Sequence, residues 1–479
     1  MNNFPLSKKI GLLAGPLCFI FIQYSTLLNL SFEAIAVLAT ACWMVVWWIT
    51  EAVSISVTAL LPLIIFPLTG VMEINNVGAN YGSSIVFLFF GGFVLALGLE
   101  KVNLHKRIAL TIIKKTGTSP NKVVLGFMIA TAFMSMWISN TASTVVMLPI
   151  ALSVINLLIN QQENTSKQTK NFALNVMLGI AFSANAGGIA TVIGTPPNSI
   201  LIGLLENEYN IQISFVKWML IGLPFAILLI TIIYILLVHI MFPTQGLLFN
   251  ASSRLINSEL KKLGRLTPKE KHVLYVFGTV VFLWIFRTVI NSFLPNLKLS
   301  DTVISIMGAI ALFAIPFDLK KGVFILDWKD TQKLSWGILI LFGGGLALAK
   351  GMSSTGIVSL ITNYIAAGNF SILITASLLI LMMLFMTELM SNVALVAVLA
   401  PVVAGIAMGL EIPILYLLIP VTMASSCAFM LPMATPPNAI VFASGFVKVH
   451  EMARIGIIIN SIAVVILIVL FKYILPLLF

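Results

Sequence analysis

Charge is what this sequence has least of. Asp, Glu, Lys and Arg together make up 9% of its 479 residues, where a soluble globular chain carries about 25%. Cysteine is scarce too. Cys18, Cys42 and Cys427 are odd in number and sit in apolar stretches, which excludes a secreted disulfide scaffold and offers no redox or zinc pattern. No Asp lies in the middle of an apolar run, and no His pairs with a Glu on one helix face, so an intramembrane enzyme has no residues to work with. No Walker-type phosphate loop occurs, and ATP drive is not indicated. What fills the chain is hydrophobic residues, 59% of the total, with a mean hydropathy of +1.08. A soluble enzyme and a nucleic-acid binder are excluded with it. The chain belongs in a bilayer.

The expected architecture is all-α and polytopic. A crossing needs roughly 20 mainly apolar residues, and candidates lie near 10–29, 32–49, 53–72, 83–100, 214–241, 272–292, 301–316, 334–350 and 455–478. Two blocks, 123–206 and 366–447, are too long for one crossing and too interrupted by polar and Pro residues for simple spans. Each is read as a re-entrant hairpin followed by one broken crossing helix, which gives about eleven crossings. Lys8 and Lys9 precede the first apolar run without a cleavage site, so that run is a span and not a signal peptide. With a cytoplasmic N-terminus, all of the 27 Lys and Arg fall inside except Lys217, Arg287, Lys298, Lys350 and Lys472. The C-terminus is then external, and the basic stretch Arg254 to Lys271 is a cytoplasmic linker. Arg287 and Lys350 are expected to snorkel to the outer face. His105, His239, His272 and His450 lie at or near span ends, in solvated interfacial positions.

The chain repeats itself. Phe90-Gly91-Gly92 matches Phe342-Gly343-Gly344, and Ser139-Asn140-Thr141 matches Ser391-Asn392-Val393, each 252 residues apart. Thr195-Pro196-Pro197-Asn198 matches Thr435-Pro436-Pro437-Asn438 at 240, the difference falling in a polar loop near 160–171 that the second half lacks. A basic segment, Lys101 to Lys122, follows the first Phe-Gly-Gly helix, whereas Gly351 to Phe370 after the second has no Lys or Arg. Equivalent elements therefore face opposite sides, the pattern of inverted repeats in alternating-access carriers. The expected divisions are an N-terminal helix at 1–30, a first repeat at 31–242, a linker at 243–271 and a second repeat at 272–479. The hairpins fall at about 123–158 and 370–408, and the broken helices at about 172–206 and 413–447.

Each Ser-Asn tip sits in mid-stretch, and polar backbone at that depth implies a protein-lined or wet cavity. Each Pro-Pro removes two N–H donors and drives the preceding Thr out of the α region, breaking the helix. Carbonyl ends suit a cation and amide ends an anion. One Ser-Asn-Thr alone is ordinarily an interhelical hydrogen-bonding patch, and one Pro-Pro a kink. Twice, in order and in inverted halves, the set points to a binding site. The Gly91-Gly92 and Gly343–Gly345 runs read as close helix packing rather than phosphate loops. Glu388 is the only acid deep in an apolar segment, and its first-half counterpart is Met136. It either braces the hairpin through backbone donors or takes part in ion coupling.

These motifs resemble the divalent anion:sodium symporter family, which includes bacterial dicarboxylate transporters, and the likeness covers nearly the whole chain. It implies a first sodium site at Ser135, Ser139, Asn140 and the backbone of Gly194. It implies a second at Thr387, the backbone of Met390, Asn392 and the backbone of Ala434. One substrate carboxylate would meet Ser139, Asn140 and Thr141 with Thr195 and Pro196, and the other Ser391, Asn392 and Val393 with Thr435 and Pro436. It also implies sodium as coupling ion without an organic cofactor, a lipid-embedded homodimer in the cell (inner) membrane, and an elevator-like movement. Val393 departs from the second Thr usual in the bacterial carriers, which removes a hydroxyl donor. The expected function is sodium symport of a C4-dicarboxylate such as succinate, malate or fumarate. The alternatives are a sodium-independent exchanger or a carrier of a related anion such as citrate. A channel is disfavoured because no ring of charge or carbonyl filter is visible.

Overall fold

The computed structural model describes residues 5–25, 30–117, 119–160, 167–244, 252–318, 320, 322–368 and 370–479. The polar loop near 160–171 lies partly outside the described residues, as do parts of the expected 1–30 helix and the 243–271 linker, and Lys321. Among the described residues the protein is helical, with one isolated bridge between Asp318 and Val323. Among the described residues nine helices are long and apolar enough to cross a membrane, and five shorter apolar ones accompany them. Asn140–Ile159, the second arm of the expected first hairpin, is among the nine. Two expected spans are shorter than foreseen. Residues 53–72 form Ile55–Thr58 and Leu61–Leu68, and 301–316 form the 14-residue Asp301–Ala314.

The order of elements recurs. Ser84–Lys101, Leu104–Thr116, Pro120–Ser135, Asn140–Asn160, Lys167–Gly188, Pro196–Tyr209 and Phe215–Ile235 form one series. Trp336–Ser354, Ile357–Ala367, Ile372–Met386, Asn392–Gly409, Ile414–Ser425, Pro436–Ala443 and Val449–Val469 form the other. Both last helices run on into π-helical turns, Leu236–Met241 and Leu470–Ile474. The two Phe-Gly-Gly helices meet at Phe89 and Phe342, whose rings lie edge to face at 4.8 Å. Their glycines serve close packing, as expected. A Cβ at Gly91 would lie 2.7 Å from the Ser305 backbone, and one at Gly344 2.8 Å from the Ala59 Cβ.

Position in the bundle follows polarity. Lys167–Gly188 is the most polar of the long helices in the core, and every residue from Phe172 to Gly188 is buried, so its Asn and Ser side chains never meet lipid. Pro268–Phe293, whose charged residues are confined to the first turn and Arg287, is mostly exposed at the periphery. The basic segments are more ordered than simple solvated loops. Leu104–Thr116 buries Leu104, Ala109, Leu110 and Ile113 and turns Lys114 and Lys115 outward, the layout of an amphipathic helix. Arg107 on this helix pairs with Glu270 at 2.7 Å and donates to the carbonyls of Leu263 and Gly264 at 2.9 Å, fastening the linker. His105 is buried rather than solvated, with Nδ1 2.9 Å from Leu99 O. Arg287 does not snorkel alone: Asp301, at the start of the next helix, pairs with it at 3.0 Å. Lys350 likewise has Glu208 at 3.6 Å.

Candidate functional site

Both hairpins turn where the polar triplets fall. The first passes from Pro120–Ser135 to Asn140–Asn160, the second from Ile372–Met386 to Asn392–Gly409. Both broken helices stop short and restart at proline, with Thr195 and Thr435 extended at φ near −140° as helix N-caps. The arms cross over between halves. Asn140–Asn160 packs against Pro436–Ala443, and Pro196–Tyr209 against Asn392–Gly409. The hairpin arm of each half thereby packs against the restart helix of the other.

At the first tip the buried Ser135 hydroxyl donates to Ala184 O at 2.7 Å and lies 2.5 Å from the Asn140 side chain. Turned nitrogen inward, the Asn140 amide donates to Ser135 Oγ, Ala184 O and Gly194 O at 2.5, 3.3 and 3.3 Å. Turned oxygen inward, it faces only oxygens. That second arrangement is satisfied by a cation, and neutral hydroxyl, amide and carbonyl oxygens are hard donors without a carboxylate cage. Gly188 and Gly194 permit the approach, since a Cβ at Gly188 would stand 2.5 Å from Asn140 Oδ1 and one at Gly194 2.5 Å from Gly188 O.

The second tip repeats the arrangement. The buried Thr387 hydroxyl lies 2.6 Å from both Ser425 O and Asn392 Oδ1. One proton cannot serve both acceptors, so hydroxyl, carbonyl and amide oxygens converge here as well.

The remaining expected residues divide. Ser139 Oγ accepts from Ala142 N at 3.1 Å, capping the second arm. Thr141, Ser391, Asn392 and Val393 are half-buried on the first turns of the second arms. Thr195 and Thr435 are buried at the restarts, with Pro196 half-buried and Pro436 exposed. Met390 and Ala434 bring no polar side chain. Their N–H groups bond to Met386 O and Leu431 O.

A profile described as the sodium:sulfate symporter transmembrane region matches residues 6–479. The chain belongs to that family. It is 38% identical to the sodium-dependent dicarboxylate transporter SdcS of Staphylococcus saprophyticus, over 99% of this chain and 93% of that protein. SdcS of Staphylococcus aureus is also 38% identical, over 99% and 92%. A solved structure, MtrF of Neisseria gonorrhoeae, described within a class of antimetabolite efflux pumps, superposes with a TM-score of 0.56 at 13% identity, covering 95% and 96% of the two chains. That likeness is one of fold. Family membership makes the protein a membrane transporter and not an enzyme.

Several residues that shape this family member's site were not singled out by sequence. Asn198 and Asn438, the last letters of the two Thr-Pro-Pro-Asn motifs, tie the breaks. Asn198 Nδ2 donates to Thr191 O at 2.8 Å and to Gly188 O and Ile189 O at 3.3 Å. Asn438 Nδ2 donates to Ala428 O and Leu431 O at 3.1 Å. They satisfy carbonyls that the broken helices orphan. Their recurrence after each Pro-Pro was the available signal.

Glu388 takes the bracing role. Its Oε1 accepts from Phe429 N, Met430 N and Asn460 Nδ2 at 2.8, 2.9 and 2.7 Å, and Oε2 from Leu431 N at 3.0 Å. In the first half, where Met136 stands in its place, Thr191 does the tying. Its hydroxyl donates to Met136 O at 2.6 Å and accepts from Gly194 N at 3.0 Å.

Proposed function

We propose that this protein is a secondary transporter of the cytoplasmic membrane that couples sodium entry to uptake of a C4-dicarboxylate such as succinate, malate or fumarate. The observation that carries the reading is the pair of matched oxygen clusters, at Ser135/Asn140 and Thr387/Asn392, each beside the N-terminus of a hairpin arm. The relatives named as sodium-dependent dicarboxylate transporters support it.

Sodium binds among the oxygens of Ser135, Asn140, Ala184 and Gly194, and of Thr387, Asn392 and Ser425, with Met390 and Ala434 adding carbonyls at the second site. Helix N-termini carry roughly half a positive charge each, so the starts of the hairpin second arms and of the Pro196 and Pro436 restarts attract the two carboxylates. Asn140, Thr141 and Thr195 hold one and Asn392 and Thr435 the other, with Ser139, Ser391, Pro196 and Pro436 shaping the contact. Sodium offsets the inward carbonyl ends and the dianion offsets the amide ends, so each favours the other's binding. The halves are inverted repeats, the N-terminus is cytoplasmic and the C-terminus external. Transport proceeds in a homodimer by elevator-like movement of the hairpin-bearing core against the outer helices.

The test is uptake of labelled succinate into proteoliposomes under an inward sodium gradient against an equal potassium gradient, with and without internal succinate. Accumulation that requires external sodium supports the reading. Uptake indifferent to sodium but dependent on internal succinate identifies an exchanger instead.

Val393 favours a second reading on substrate alone, in which the anion is longer or less symmetric, as citrate is. The second tip has one hydroxyl fewer than the first. Restoring it in Val393→Thr is expected to lower KM for succinate about 10-fold, since a hydrogen bond to a charged group contributes about 1.5–3 kcal/mol. Inhibition of succinate uptake by citrate should weaken in the same variant. Unchanged KM values for both anions would remove Val393 from substrate selection.

A further inference from the structure

Asn185 is one of few side chains that tie the two halves together inside the core. It is 1% exposed, on the last turn of Lys167–Gly188, immediately after Ala184, whose carbonyl belongs to the first oxygen cluster. Its amide Nδ2 reaches across to the other half, sharing its protons among Thr435 Oγ1 at 3.0 Å, Ala428 O at 3.2 Å and Asn438 Oδ1 at 3.3 Å. Those three groups are the parts of the second break: the carbonyl left where the chain unwinds, the threonine that caps the restart, and the asparagine that knots it. The reach is one-sided. The corresponding positions of the second half are serines. Ser425 Oγ donates within its own helix to Thr422 O, and the buried Ser426 Oγ has no partner among the described residues.

We propose that Asn185 is a positioning residue that couples the first cation cluster to the second half-site, a proposal that rests on the reading of those clusters as sodium sites. A cation drawn to Ala184 O fixes the end of Lys167–Gly188 and with it the Asn185 amide. The amide in turn fixes the Thr435 hydroxyl and the Asn438 knot. Ordering the second break in this way removes part of the entropy that a second cation would otherwise have to overcome, which is positive cooperativity without a large movement.

Equilibrium binding of radiolabelled sodium to the detergent-solubilised full chain, without substrate and with potassium holding ionic strength, tests it. The wild type is expected to bind with a Hill coefficient above 1. In Asn185→Ser, which installs the residue of the second half, the number of sites should be unchanged, the Hill coefficient should fall to about 1, and half-saturating sodium should rise about 5- to 20-fold. Asn185→Ala removes the donor without adding charge, and it should behave alike if the serine variant does not fold. A merely structural role would lower the number of sites and leave the Hill coefficient of the remaining ones intact, and that outcome overturns the proposal. So does a folded variant with the wild-type curve, or a wild type that binds sodium without cooperativity. A wild type that binds no sodium would instead bring down the reading of the clusters themselves.

Discussion

Replacing Asn140 with Ala is expected to lower kcat/KM for sodium-driven succinate uptake about 100-fold or more while leaving the protein folded. The Asn140 amide stands among Ser135 Oγ, Ala184 O and Gly194 O, and the same residue begins the second arm of the first hairpin. The substitution therefore removes a cation ligand and a carboxylate donor together. A hydrogen bond to a charged group contributes about 1.5–3 kcal/mol, and losing two such contacts corresponds to at least about 100-fold. Ala is a good helix former, so the arm itself should persist. Transport kinetics with a parallel thermal unfolding curve check both halves of the statement. A folded variant within about 5-fold of wild type would remove Asn140 from the site.

Glu388→Met should do the opposite, removing folded protein rather than activity alone. The change places the first half's residue in the second half, where nothing equivalent to Thr191 replaces the lost ties. Backbone N–H groups of Phe429, Met430 and Leu431 and the Asn460 amide lose their acceptor. Each buried donor left unsatisfied costs about 1–3 kcal/mol, so the sum is of the order of the whole stability of a typical domain, about 5–15 kcal/mol. Glu388→Gln retains one acceptor oxygen but turns an amide NH2 toward a backbone donor, and it should fall between. Yield of monodisperse protein and unfolding temperature report the order wild type, Gln, Met. A Met variant as stable as wild type would mean that the segment 429–431 is held by something else.

The chain-level plan was legible because its devices leave local marks. Pro pairs break helices wherever they fall, a polar triplet inside an apolar run cannot hide, and fixed offsets expose a repeat. Leu104–Thr116 was readable in principle, since its cations and apolar residues recur at helical spacing, but the density of Lys and Arg reads first as a loop. Asp301 lies 14 residues beyond Arg287, and only the packing of two helices shows that the pair meets. The Ala184 and Ser425 carbonyls carry no side-chain signature at all, because backbone ligands are set by where a helix ends. Glu388 was visible as an anomaly, yet its choice between bracing and ion coupling depended on four donors, three of them more than 40 residues away in backbone N–H groups. Asn185 was hidden by its surroundings, as one polar residue among several in a helix buried on every side.

The most direct measurement is an experimental structure of the protein in nanodiscs, solved once in sodium with succinate and once in potassium without it. The sodium structure alone is expected to show density for a cation at Ser135, Asn140, Ala184 and Gly194, a second at Thr387, Asn392 and Ser425, and succinate between the two hairpin tips within hydrogen-bond distance of Asn140 and Asn392. Succinate bound elsewhere, or at this place with neither cluster holding a cation, would contradict the sodium-coupled reading.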